Sequence, residues 1–118
     1  MRYLDKKLGS GLPASHGDIV RVHFIGRLQS SGEIFDRSRK KDGPFEFKLG
    51  AKEVIKGWDI GILGMRMGGS RILTVPPEKA YGKSGVPPEI PPFAILIFEI
   101  HLVEILRESM TRYSLPSS

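Results

Sequence analysis

Between positions 19 and 28 the chain alternates. Val20, Val22, Phe24 and Leu28 are separated by Arg21, His23 and Arg27, the period of two that gives a strand one buried and one wet face. Residues 2–8 form a candidate edge strand closed by Gly9-Ser10-Gly11 and Pro13, and Ser30-Ser31-Gly32 reads as a hairpin loop into Glu33-Ile34-Phe35. Alternation returns in residues 45–49 after the basic run Arg37-Ser38-Arg39-Lys40-Lys41, which has nothing to bury and is expected as a loop. From 55 to 67 the spacing changes: Trp58, Ile62 and Met65 recur at four and three residues, as do Ile60, Leu63 and Met67. That spacing predicts a short, nearly buried helix over 55–67. Its three glycines, Gly57, Gly61 and Gly64, each cost about 1 kcal/mol relative to alanine, so packing and not propensity must hold it. Gly68-Gly69 is expected to stop it, and residues 71–75 return to a strand before Pro76-Pro77. A proline-studded loop, 76–92, leads to a last strand over 93–106, apolar enough on both faces to belong in the sheet centre. From Arg107 to Ser118 the pattern decays into a polar tail, expected to be flexible or the start of a linker. The expected architecture is α+β, about five antiparallel strands half-wrapped around one short helix, in a single domain over 1–106.

Composition sharpens this picture. A length of 118 residues supports one hydrophobic core. With 14 Gly and 9 Pro the chain must turn often, as a small sheet with tight connections does. The absence of cysteine removes disulfides, thiolate metal sites and a cysteine nucleophile together. The net charge of +5 is an ordinary solubility charge for a small domain, although the basic run also suits a polyanion. No apolar stretch reaches the roughly 18 residues of a membrane span, and charges occupy the N-terminus where a signal peptide needs an apolar core. The expected location is cytoplasmic.

Candidate chemistry is sparse. His16, His23 and His101 are scattered along the chain, with no helical ligand spacing that would hold a metal. Gly57-Trp58-Asp59-Ile60-Gly61 lacks the GK[ST] of a phosphate loop, and Trp58 would crowd a phosphate. Phe24, Phe35, Phe45, Trp58, Tyr81 and Phe98 stand beside turns, with Val54-Ile55 just ahead of the helix. Core packing and a binding pocket both account for such residues.

Longer strings decide between these readings. VHFIG (22–26), IFDRSR (34–39), PFEFKLG (44–50), EVIKGWDIGILGM (53–65), AYG (80–82) and IPP (90–92) occur in order over roughly residues 17–106. In these the chain resembles the FKBP-type peptidyl-prolyl cis/trans isomerases, the immunophilins that bind tacrolimus and rapamycin. The resemblance implies rotamase activity on X-Pro bonds that assists protein folding, without metal or cofactor, and a monomer is expected because nothing in the sequence suggests more. Its partners would be proline-containing peptides, unfolded or flexible client proteins, and macrolides such as rapamycin and tacrolimus. It implies Trp58 as the pocket floor, Asp36 as the polar residue at the rim, and Tyr81 as a hydroxyl donor to a bound carbonyl. Phe98 joins these in the catalytic set. Phe24, Phe35, Phe45, Glu53, Val54, Ile55, Val86, Glu89 and Ile90 are the implied substrate- or drug-binding positions, with the Ile55 N–H as a second donor.

Three positions depart from the family's best-known members. Phe24 stands where they have tyrosine, and Val86 and Glu89 occupy loop positions often held there by His and Ile. These departures bear on the polar network around Asp36 and on substrate preference and drug affinity. The competing readings are a non-enzymatic partner- or macrolide-binding module of the same fold, and a nucleic-acid site at the basic run. The latter rests on one loop without interleaved aromatics.

Overall fold

A computed structural model describes residues 1–107 of the chain. Six strands form one antiparallel sheet: β1 (Arg2–Lys7), β2 (Ile19–Leu28), β3 (Ile34–Arg37), β4 (Phe45–Lys48), β5 (Ser70–Val75) and β6 (Leu96–Leu106). Their order is β1-β5-β6-β2-β3, with β4 also on β2. β6 lies in the middle, as its apolar run predicted. α1 (Lys56–Gly61), the one α-helix among the described residues, packs on one face of the sheet, where Val20, Val22, Leu73, Val75, Leu96, Ile100 and Leu102 are buried together with Trp58 and Ile62. Full burial of aliphatic side chains of this size contributes about 1.5–3 kcal/mol each.

The helix is shorter than its pattern suggests. It ends at Gly61, because Gly64 takes a φ of +84°, which turns the chain out of the helical path well before Gly68. The segment beyond is claimed by the loop before β2: Gly64 donates to the Ala14 carbonyl at 3.0 Å and Ala14 to that of Met65 at 2.7 Å. Helical spacing persisted in the sequence because Ile62 and Met65 still turn into the core. Gly57 and Gly61 are explained by close approach, since a Cβ at Gly61 would lie 2.7 Å from a Leu73 methyl and one at Gly57 would strike Val75. The glycines let α1 lie flush on β5.

Arg71 secures the end of that helix. Buried on β5, it donates to the carbonyls of Gly61 (2.8 Å) and Leu63 (2.9 Å), pairs with Asp5 on β1 at 2.6 Å, and lies over the Tyr3 ring. One guanidinium thus ties the edge strand to the carbonyls that leave α1.

Two boundaries differ from expectation. The last strand starts at Leu96 and not at 93, because Phe93 is held at a φ of +59°, incompatible with a strand, with its N–H on the Gly82 carbonyl. Arg107, expected to open the tail, is tied to the body by a two-point pair with the buried Asp18, at 2.8 Å from each of Nε and Nη2. The remainder of the expected tail, 108–118, lies outside the described residues.

The arrangement of β3 and β4 creates the site. Both pair with β2, β4 along Ile19–Val22 and β3 along Ile25–Arg27, so the two lie end to end with the basic segment bulging between them. That segment is not wholly irregular, since Lys40–Asp42 forms a 3₁₀ turn. At the gap, Ser38 replaces the missing strand partner: its N–H donates to the Phe24 carbonyl at 3.0 Å, and its Oγ accepts the Phe24 N–H at 2.8 Å.

Candidate active site

Over that gap lies a cavity of about 510 Å³. Its base is Trp58, the third residue of α1 after Lys56-Gly57 and only 5% exposed. Phe24 and Phe98 meet the indole edge-on, with ring centroids 4.9 and 5.3 Å away, and Phe45 does so at 6.0 Å. Phe35 completes the wall through a T-shaped contact with Phe98 at 5.6 Å. Such edge-to-face pairs stabilise by about 0.5–1.5 kcal/mol each beyond simple burial, so the walls are stiff. Phe47, not foreseen as part of the site, is buried behind Trp58 with its ring centroid 5.7 Å away. Strand alternation put it in the core, but only the register shows which core residue backs the indole.

The segment leading into α1 is held by carboxylates. Asp59, in the first turn of the helix, accepts the N–H groups of Gly50 (2.9 Å) and Lys52 (3.1 Å), and Glu53 accepts that of Lys48 at 3.0 Å. These bonds fix Val54 and Ile55 at the cavity wall. Asp59 is a positioning residue that the sequence reading missed; an acid in the first helical turn was its only signal. Among the described residues the Ile55 N–H has no acceptor, and neither has the Tyr81 hydroxyl, whose ring also lines the cavity. Burial, and then the nearby charge of Asp36, push the Tyr81 phenol above its ordinary pKa. The hydroxyl therefore stays protonated and able to donate. One carboxylate oxygen of Asp36 accepts the N–H of Arg37 at 2.8 Å, which orients the group at the rim.

Of the residues singled out in the sequence, the cavity brings together Phe24, Phe35, Asp36, Phe45, Glu53, Val54, Ile55, Trp58, Tyr81 and Phe98. It does not include Val86, Glu89 or Ile90. Ile90 is buried in the core, and its N–H and carbonyl pair with those of Val86 at 2.9 and 2.8 Å, closing a tight loop that leaves Val86 and Glu89 exposed on the surface. The cavity has further walls in Arg37, Ser38, Arg39, Asp42, Gly43 and Pro44. Arg37, Ser38 and Arg39 stood in the basic run, expected as a solvated loop with a nucleic-acid site as the alternative, and they enter because β3 and β4 lie end to end.

An aromatic-floored cavity with two uncommitted donors, the Ile55 N–H and the Tyr81 hydroxyl, suits a carbonyl-rich ligand with apolar groups. The family model for FKBP-type peptidyl-prolyl cis-trans isomerase matches residues 11–103. The chain is 52% identical over 99 residues to FK506-binding protein 2 of Kluyveromyces lactis, covering 84% of this chain and 71% of that protein. It is 49% identical over 102 residues to the 39 kDa FK506-binding nuclear protein of Drosophila melanogaster, covering 86% of this chain but only 28% of that one. Among solved structures, that of AtFKBP13 superposes with a TM-score of 0.81 at 40% identity, over 86% of this chain and 90% of that one. FkpA from Escherichia coli gives 0.79 at 37% identity, over 89% of this chain and 47% of that one. The chain belongs to the FKBP-type peptidyl-prolyl cis-trans isomerases, an enzyme family, and has its fold. The Drosophila relative is named a nuclear protein, and among the described residues of this chain no helix is long and apolar enough to cross a membrane.

Proposed function

We propose that the chain accelerates rotation about X-Pro bonds of flexible or folding client proteins at the Trp58 cavity. The observation that carries this reading is the pairing of a buried aromatic floor with two uncommitted donors, the Ile55 N–H and the Tyr81 hydroxyl. Resonance opposes rotation of the amide by about 18–20 kcal/mol, so the uncatalysed X-Pro reaction takes tens of seconds or longer. Twisting the bond removes that resonance and leaves a less dipolar amide. A water-poor cavity therefore favours the twisted form over the planar one.

In this mechanism the proline ring stacks on Trp58 between Phe24, Phe45 and Phe98. The donors hold carbonyls of the chain on either side, so that one segment is fixed while the other turns. Asp36 contributes charge at the rim and favours the protonated Tyr81. No covalent bond is made or broken. Turnover in milliseconds needs roughly 10⁴- to 10⁵-fold acceleration, or about 5.5–7 kcal/mol, which lies within reach of desolvation and two oriented hydrogen bonds.

The same cavity would take a macrolide of the FK506 type. Trp58 is the chain's single tryptophan, and its buried indole N–H has no acceptor among the described residues. Its emission therefore reports on the cavity alone. Titration with FK506 is expected to change that emission saturably at one equivalent, and unchanged emission together with no calorimetric heat would contradict the assignment.

A further inference from the structure

The two histidines that look scattered in the sequence are direct partners in the sheet: His23 on β2 sits opposite His101 on β6. Both belong to the face turned away from α1, as alternation from the cavity residue Phe24 requires. Here a second cavity opens, about 740 Å³, and it shares Phe24, Arg37, Ser38 and Arg39 with the first. The strip 37–39 is thus a common wall between the two.

The charge of this second cavity is one-sided. Arg37, Arg39 and Lys40 line it, and among the described residues none of their side chains has an acidic partner. Its one carboxylate, Glu99, is already paired with Lys6 at 3.1 Å. The imidazoles are held through Nδ1, that of His23 by the Ser38 hydroxyl at 2.9 Å and that of His101 by Ser70 at 3.1 Å. With Nδ1 engaged by serine, each Nε2 is left without a partner among the described residues.

We propose that this groove is an anion subsite of the isomerase, taking carboxylate or phosphate side chains a few residues from the proline bound over Trp58. The proposal rests on the isomerase reading of the first cavity. It assigns a substrate class, clients whose prolines are flanked by acidic or phosphorylated residues. A peptide is favoured over a nucleic acid because the groove adjoins the proline cavity and its one phenyl ring, Phe24, is already packed against Trp58.

The test uses labelled Ala-Pro peptides that are neutral, that carry three glutamates two to five residues from the proline, or that carry one phosphoserine there. Affinity is read by fluorescence anisotropy and turnover by exchange spectroscopy. At low ionic strength the glutamate and phosphoserine peptides are expected to bind about fivefold more tightly than the neutral one, and the advantage should collapse towards unity in about 0.5 M salt. A response to only one of them identifies which anion the groove takes.

Lys40→Glu should lower the acidic-to-neutral affinity ratio at least twofold, whereas Arg2→Glu on the far edge strand, with the same change in net charge, should leave it alone. Equal affinity for all peptides overturns the subsite. So does an unchanged ratio in Lys40→Glu, or saturable binding of a single-stranded oligonucleotide with no peptide preference. An intact ratio without turnover of any peptide contradicts the isomerase reading and leaves the anion groove standing.

Discussion

Tyr81→Phe removes one oxygen from the candidate site and little else, which makes it the sharpest probe of whether the cavity works by apolar enclosure alone. The Tyr81 side chain is 40% exposed, and its hydroxyl bonds to no group among the described residues. Its loss therefore leaves no buried orphan, and unfolding free energy should stay within about 0.5 kcal/mol of the parent. If the hydroxyl donates to a substrate carbonyl, the loss is that of one neutral hydrogen bond, about 0.5–1.5 kcal/mol, or roughly two- to twelvefold in kcat/KM. Losing a bond made equally in the planar and twisted states raises KM alone, and losing one strengthened by twisting lowers kcat. Exchange spectroscopy on a proline peptide, beside urea denaturation of both proteins, separates these outcomes. Because the phenol is pushed above its ordinary pKa of about 10, parent activity should persist to that pH and decline only beyond it, a decline absent from the variant. Unchanged kcat/KM at matched stability would refute the donor role.

Three further outcomes follow from the packing. Arg71→Met strands Asp5 and the carbonyls of Gly61 and Leu63, and should cost about 3 kcal/mol in urea denaturation, with an accompanying loss of activity as α1 loosens. Asp18 is held below the usual carboxylate range, chiefly by its hydrogen bond from Arg107, with burial opposing and the Ser15 N–H assisting. Its contribution is therefore full above about pH 4 and lost as pH falls through the depressed value. Asp18→Asn should lower the urea midpoint at pH 7 and flatten the acid limb of the stability profile. Gly26→Ala places a Cβ 2.7 Å from the Phe35 ring and 2.9 Å from that of Phe98. It should cost about 1–3 kcal/mol and weaken FK506 binding in the Trp58 titration, because both rings are cavity walls.

Most of the sheet was legible because β2, β4, β5 and β6 alternate or run apolar, and a buried face imposes that pattern whatever the partners. The helix end was not, because Ile62 and Met65 point inward from non-helical backbone as readily as from helix. The start of β6 was hidden by Phe93, whose φ no propensity signals. The aromatic half of the candidate site could be named from motif strings, and the cavity assembles it. Val86 and Glu89 fell outside because distance along a loop does not say which way a tight turn throws its side chains. The wall at 37–39 and the His23–His101 pair depend on register, which a one-residue slip would have inverted. No local sequence feature specifies it.

The central claim is that the Trp58 cavity turns X-Pro bonds, and protease-free exchange spectroscopy on a short Ala-Pro peptide tests it most directly. Catalytic amounts of the protein should raise the cis-to-trans rate far above its uncatalysed tens of seconds, and one equivalent of FK506 should abolish the acceleration. An uncatalysed rate with folded protein that still binds FK506 would contradict the claim and leave a binding module in its place.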